Sequence, residues 1–181
     1  GNHQDLHLSI RRQRQMCIRD SIYAEILGHA SSSDAYHIAA LDPTGGGAIR
    51  SMKWAIDDAH ISRDTIQYIN AHGTSTQAND AMETLAIKKI FGETAYNIPI
   101  SSTKSMIGHA LGASGAIEVV ACVMSLVEGV LHPTINHETR DPDCDLDYVP
   151  NEARDFHGLK RILSNSFGLG GQNASIVLGA I

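Results

Sequence analysis

The chain has 181 residues, of which 43% are apolar and 19% charged, with a formal net charge of −6. A chain of this size and balance can bury a core, 14 Lys and Arg against 20 Asp and Glu give no basic footprint for nucleic acid, and no run approaches the ~18 uninterrupted apolar residues of a membrane-spanning helix. Cys17, Cys122 and Cys144 form an odd set with neither disulfide nor zinc-ligand spacing, which points to a reducing, cytoplasmic setting.

Residues 1–21 read apart from the rest, with four arginines and no usable apolar period. A basic arm and a targeting peptide are two readings of this stretch, the second weakened by Asp5 and Asp20. The run Ser9-Ile-Arg-Arg-Gln-Arg-Gln-Met-Cys-Ile-Arg-Asp20 also resembles translated sequencing-adapter read-through. Residues 1–21 are therefore expected to be a non-native or disordered arm, followed by a domain over 22–181.

From residue 22 the pattern is orderly. The run 22–28 predicts a strand, and 45–60 an amphipathic helix with Ile49, Met52, Ile56 and Ala59 on one face. A short strand over 65–70 ends in the loop 71–76, after which Asn79 or Asp80 caps a helix running to Phe91. Another strand, 98–101, leads through the loop 102–109 into a long helix over 110–128. Apolar almost all round beyond Glu118, that helix is expected to be buried, and its small residues at 110–116 to admit close approach of another backbone. The acidic stretch 141–147 and the polar residues to Lys160 read as a solvated connection. Two final apolar runs, 161–164 and 174–179, read as an antiparallel pair around a glycine-rich turn. Alternating strands and helices followed by paired strands predict a layered α/β fold with a mixed sheet.

Three loops, 72–76, 104–109 and 168–173, each follow a predicted strand, and in an open α/β sheet that edge is where ligands bind. His72, His109 and Lys104 converging there would supply donors for a developing oxyanion or enolate. A metal hydrolase built on His72, His109 and Asp80 lacks HExxH or clustered-carboxylate spacing, and Lys104 would repel the cation. The glycines at 168–171 match neither GxxxxGK[ST] nor GxGxxG. Cys122 lies mid-helix, where burial raises a thiol pKa, and Cys144 lies between Asp143 and Asp145, which disfavour a thiolate. With no GxSxG elbow either, the sequence offers stabilising donors and no evident nucleophile.

Taken together, Asn70-Ala-His-Gly-Thr-Ser-Thr76, Ser101-Ser-Thr-Lys-Ser-Met-Ile-Gly-His109 and Asn165-Ser-Phe-Gly-Leu-Gly-Gly-Gln-Asn173 resemble the β-ketoacyl-acyl carrier protein synthases, of the ketoacyl synthase II type. The likeness runs from about Ile22 to Ile181 and includes Thr134-Ile-Asn136 and Cys144-Asp-Leu-Asp-Tyr-Val-Pro150. It implies the C-terminal half of a thiolase-like layered fold, and a condensing enzyme of fatty acid elongation whose nucleophilic cysteine lies in the other half. It also implies a homodimer and acyl carrier protein as partner. No cofactor is implied beyond the phosphopantetheine on that carrier. By the same resemblance His72 and His109 match the catalytic histidines, Lys104 the lysine that organises them, and Glu118 its acidic partner. Thr74 and Thr76 match the threonines that bind the pantetheine arm. Leu169, between Gly168 and Gly170, matches the oxyanion donor and acyl gate, although Phe is usual there. Asn70, the carbonyl of Ala71, Glu118, Ser164 and Asn165 resemble a structural monovalent-cation site. A polyketide-type ketosynthase and a non-catalytic, chain-length-factor-like dimerisation partner remain as alternatives.

Overall fold

A computed structural model describes residues 21–181, so the arm expected over 1–21 lies, but for its last residue, outside the described residues. Strands β1 (Glu25–Ser33), β2 (Tyr68–Asn70), β3 (Ile100–Ser101), β6 (Arg161–Gly168) and β7 (Gln172–Gly179) form one sheet in the order β1-β7-β6-β2-β3. Neighbours are antiparallel as far as β6, then parallel across β6, β2 and β3. The sheet is mixed, as the sequence predicts. A two-stranded ribbon pairs β4 (Val130–Leu131) with β5 (Arg154–Asp155).

Alternation along the strands divides the core in two. Ile69, Leu163 and Val177 point to one face, where helices α1 (Gly46–Asp58) and α2 (Gln77–Phe91) bring Met52, Ala55, Ala86, Ile87 and Phe91. Tyr68, Ile162 and Leu178 point to the other, where α4 (Ser114–Glu128) brings Cys122 and Leu126. A single-turn helix, α3 (Lys104–Ile107), joins β3 to a 3-10 turn at Leu111–Ala113 that leads into α4.

Several sequence expectations need correction. Strand β1 begins three residues later than predicted and extends through Ser31, Ser32 and Ser33, because those serines pair with Ala174, Asn173 and Gln172 of β7. Helix α2 begins at Gln77 with Thr76 as its cap position and no side-chain cap bond, rather than at Asn79 or Asp80. Helix α4 is not buried all round. Glu118, Cys122, Ser125 and Leu126 face the sheet, while Val120, Met124 and Val127 stand exposed, since no second layer lies outside α4 among the described residues. By length and composition alone, Leu111–Glu128, with a mean hydropathy of 1.6, would pass as a membrane span, but its stripe through Glu118 covers the sheet. Nor, among the described residues, does a backbone approach Gly112 or Gly115: Gly112 has open space beside it, and a Cβ on Gly115 would come no closer than 4.0 Å to Ser166 Oγ.

The stretch 141–160 is more than a solvated connection. Leu146, Val149 and Leu159 are buried, and the Asp147 carbonyl accepts the Ile100 N–H at 2.8 Å, fastening the segment along β3. Isolated apolar residues among acids carry no period, so sequence alone leaves this anchoring invisible.

Candidate active site

Strands β2, β3 and β6 run in the same direction, so the loops that follow Asn70, Ser101 and Gly168 share one edge of the sheet. That edge brings His72, Lys104 and His109 together, as the sequence predicts. The His72 and His109 rings stand edge to face with centroids 5.6 Å apart, and the Phe167 ring lies 5.7 Å from that of His72.

Both imidazoles have an assigned proton. Lys104 Nζ lies 3.3 Å from His72 Nδ1, and an ammonium can only donate, so His72 carries its proton on Nε2. His109 Nδ1 accepts the Leu111 N–H at 3.0 Å and faces Ser114 Oγ at 3.0 Å, which puts its proton on Nε2 as well. Burial, then the Lys104 charge and the neighbouring His109 imidazole, depress the His72 pKa to about 3, so the ring stays neutral. Two Nε2–H donors on adjoining neutral rings are suited to hold an oxygen on which negative charge develops.

Lys104 is itself buried, 5% exposed in its side chain, and ion-pairs with Glu118, 1% exposed. Desolvation raises the Glu118 pKa, opposed by the hydrogen bond and charge of Lys104. Among the described residues, only Oε1 of Glu118 is engaged; Oε2 is buried without a hydrogen-bond partner there.

The His72 loop is fixed from behind by Glu83, which the sequence analysis did not single out. Its carboxylate accepts the N–H groups of His72 (2.9 Å) and Gly73 (3.0 Å), and the Asn165 amide at 3.2 Å. The available signal was a lone acid on the apolar stripe of α2, in line with Ala86, Ile87 and Ile90. Gly73, at φ +40°, has no room for a side chain: a Cβ would lie 2.6 Å from Ser102 Cβ. The close approach lets Ser102 Oγ donate to the Gly73 carbonyl at 2.6 Å, binding one loop of this edge to the next.

Thr74 is half-buried and Thr76 exposed, their hydroxyls 2.9 Å apart. A cavity of about 800 Å³ is lined by Thr74, Lys104, His109, Asp80, Asn136 and Tyr148. Leu169 and Gly170 sit at the tip of the turn between Gly168 and Gln172, where Leu169 is 80% exposed. The turn is tied at one end: Asp34 N–H donates to the Gly171 carbonyl at 2.8 Å, Asp34 Oδ1 accepts from Asn173 at 2.7 Å, and a Cβ on Gly171 would strike Asp34 Cβ at 2.8 Å. Nothing in the sequence around Asp34 announces that tether.

The candidate cation ligands are only partly gathered. Asn70 and Ser164 face each other across β2 and β6, with Asn70 Nδ2 donating to Ser164 Oγ at 3.2 Å, on the side of the sheet where Cys122 lies. The Asn165 side chain belongs to the opposite face, bonded to Glu83, Met52 and Ser175, because adjacent strand residues alternate. Among the described residues no group of three or more His, Cys, Asp or Glu is placed to hold a metal. Burial drives the Cys122 thiol to about 12, and it also raises Cys144, with Asp141, Asp80 and Asp143 adding to the effect. Cys17 lies outside the described residues.

Residues 23–138 match the family described as the β-ketoacyl synthase C-terminal domain. The chain is 54% identical over 155 residues to 3-oxoacyl-[acyl-carrier-protein] synthase 2 of Synechocystis, covering 86% of this chain and 37% of that protein. It is 50% identical over 161 residues to the synthase of the same name from Coxiella burnetii, covering 89% and 39%. Among solved structures, a type II polyketide synthase acyl-carrier protein in complex with its ketosynthase matches at a TM-score of 0.87 and 46% identity, over 94% of this chain and 40% of that one. The ishigamide ketosynthase/chain length factor matches at 0.86 and 37%, over 93% and 41%. The chain thus spans less than half the length of these relatives.

Proposed function

As this chain belongs to the β-ketoacyl synthase family, with the α/β fold of the C-terminal half of a thiolase-like ketosynthase, we propose that it is the C-terminal part of a 3-oxoacyl-acyl carrier protein synthase of fatty acid elongation. The observation that carries this reading is the pair of neutral imidazoles, both protonated on Nε2 and backed by the buried Lys104–Glu118 pair. In the whole enzyme a cysteine from the other half holds the acyl chain as a thioester. The C–C bond to the carboxylate of malonyl-acyl carrier protein breaks, carbon dioxide leaves, and the electron pair enters a thioester enolate. The Nε2–H groups of His72 and His109 hold that enolate oxygen, worth about 10²–10³ in rate for each donor. The enolate carbon then attacks the acyl thioester carbonyl, whose developing oxyanion the Leu169 N–H receives, and the cysteine thiolate departs.

Lys104 keeps the His72 proton on Nε2 and the ring uncharged. Thr74 and Thr76 present hydroxyls to the pantetheine arm beside the cavity, and Leu169 gates the acyl pocket. A monovalent cation would give the unpartnered Glu118 Oε2 a counter-charge, with Asn70, Ser164 and the main chain of Ala71 and Asn165 as further ligands. The working form is a cytoplasmic homodimer that receives both substrates on acyl carrier protein. The higher identity to the fatty-acid synthases, 54% against 46% for the polyketide ketosynthase, ranks this reading over a polyketide one.

The test is the complete enzyme, assayed separately for cysteine acylation and for malonyl-acyl carrier protein decarboxylation. His72→Ala and His109→Ala should each lose about 10²–10³ in decarboxylation and largely retain acylation. Normal decarboxylation by both variants would overturn the assignment, and a complete protein without a nucleophilic cysteine would favour the non-catalytic partner.

A further inference from the structure

A third histidine has no place in the reaction above. His132 follows β4 and begins a segment, 132–135, that braces the turn carrying Lys104. Thr134 Oγ1 accepts the Ser102 N–H at 3.1 Å, Ser105 Oγ accepts the Ile135 N–H at 3.0 Å, and the His132 ring bridges Ser101 and Thr103. Its Nε2 lies 3.0 Å from both Thr103 Oγ1 and Tyr68 Oη, and its Nδ1 lies 3.1 Å from Ser101 Oγ.

The protons of this cluster can be followed in one direction. Asn70 donates through Nδ2 to Ser164, so its Oδ1 is free to accept, and the Thr103 hydroxyl donates to it at 2.8 Å. Thr103 has no second proton, hence it meets His132 as an acceptor and the imidazole carries its hydrogen on Nε2. Nδ1 is then an acceptor filled by the Ser101 hydroxyl at 3.1 Å, nearer than the Pro133 carbonyl at 3.3 Å, and the Ser101 oxygen receives the Tyr68 phenol at 2.6 Å. Burial favours the neutral ring. The result is one chain of donors, from Tyr68 through Ser101, His132, Thr103 and Asn70 to Ser164. All but His132 belong to β2, β3, β6 or the turn after β3; His132 alone comes from the brace.

Thr103 immediately precedes Lys104 and occupies the cap position of α3. We propose that His132 is a positioning residue, whose Nε2–H donated to Thr103 Oγ1 sets the start of α3 and thereby the reach of Lys104 to His72. This role presumes the decarboxylase proposed above and adds to it a residue outside the three catalytic-edge loops.

The experiment compares His132→Leu, which removes donor and acceptor, with His132→Gln, which keeps a side-chain N–H, in the complete enzyme. Misplacement by about 1 Å from a remote change can cost about 100-fold. His132→Leu should lower kcat for malonyl-acyl carrier protein decarboxylation by about 10- to 100-fold with KM and cysteine acylation unchanged, and His132→Gln should recover most of the loss. Thr103→Val, which deletes the acceptor, should reproduce the same loss, and the double substitution should add little. Unchanged decarboxylation in His132→Leu, or an equal fall in acylation and decarboxylation with no recovery in His132→Gln, overturns the inference. If His132→Leu does not fold, a normal kcat in Thr103→Val overturns it instead. An unsubstituted enzyme that fails to decarboxylate would overturn the function proposed above, a result distinct from an active parent with an indifferent His132→Leu.

Discussion

The two histidine loops solve the same problem with different means. His72 is nearly buried, and its supports are charged and remote in sequence: Glu83 holds its backbone from α2, while Lys104 donates to its ring with Glu118 behind it. His109 is exposed, and its supports are neutral and local, the Leu111 N–H and the Ser114 hydroxyl two and five residues along. Desolvation already disfavours a charged His72, and the adjacent ammonium disfavours it further. The solvated His109 needs only orientation, which two hydrogen bonds from its own segment supply.

The comparison breaks most severely at Lys104. Lys104→Ala leaves the Glu118 carboxylate buried without its cation, and should cost about 3–5 kcal/mol in denaturant unfolding. Stability unchanged within error would mean that the pair does not hold the His72 side together. Next in size is Glu83→Gln. One carboxylate oxygen facing an N–H becomes an amide donor, so a backbone donor at His72 or Gly73 loses its acceptor, for about 1–3 kcal/mol.

Acid titration sharpens the contrast without a substitution. The folded pKa of His72, about 3, lies below its ordinary value of 6.5, so between those values the unfolded chain binds the extra proton. The contribution of neutral His72 to stability is therefore complete above about pH 6.5, falls as the pH drops through that window, and levels off near pH 3. Denaturation midpoints measured across the window should show this slope in the parent, and a shallower one in Lys104→Ala, where the repelling ammonium is gone.

Ser114→Ala should have the smallest effect of the four: about 0.5–1.5 kcal/mol or less, with a modest loss in decarboxylation by the complete enzyme, because Leu111 still fixes the ring. A loss as large as that of Lys104→Ala would show that His109 is no more loosely held than His72.

Legibility followed how local each cause was. The parallel strand ends that gather His72, Lys104 and Gly168 could be read from short apolar runs each followed by a loop, and the β6–β7 pair from two runs around glycines. Boundaries fared worse where pairing overrode composition, as at Ser31–Ser33, which are strand only because β7 lies alongside. Glu83 left a trace, one acid on an apolar stripe, whereas Asp34 and His132 left none. Their partners are more than a hundred residues away at Asn173 and Gly171 for the first, and about thirty away at Ser101 and Thr103 for the second.

By itself the sequence determined the three loops, the residue types in them, and the period that makes strands alternate and helices amphipathic, because these depend on neighbours a few positions apart. Tertiary structure alone decided which imidazole is buried, which nitrogen bears each proton, that the Asn165 side chain lies across the sheet from Ser164, and that α4 presents one face to the sheet and leaves the other bare. Those outcomes depend on desolvation and on donors brought from distant segments, and neither exists until the sheet has assembled.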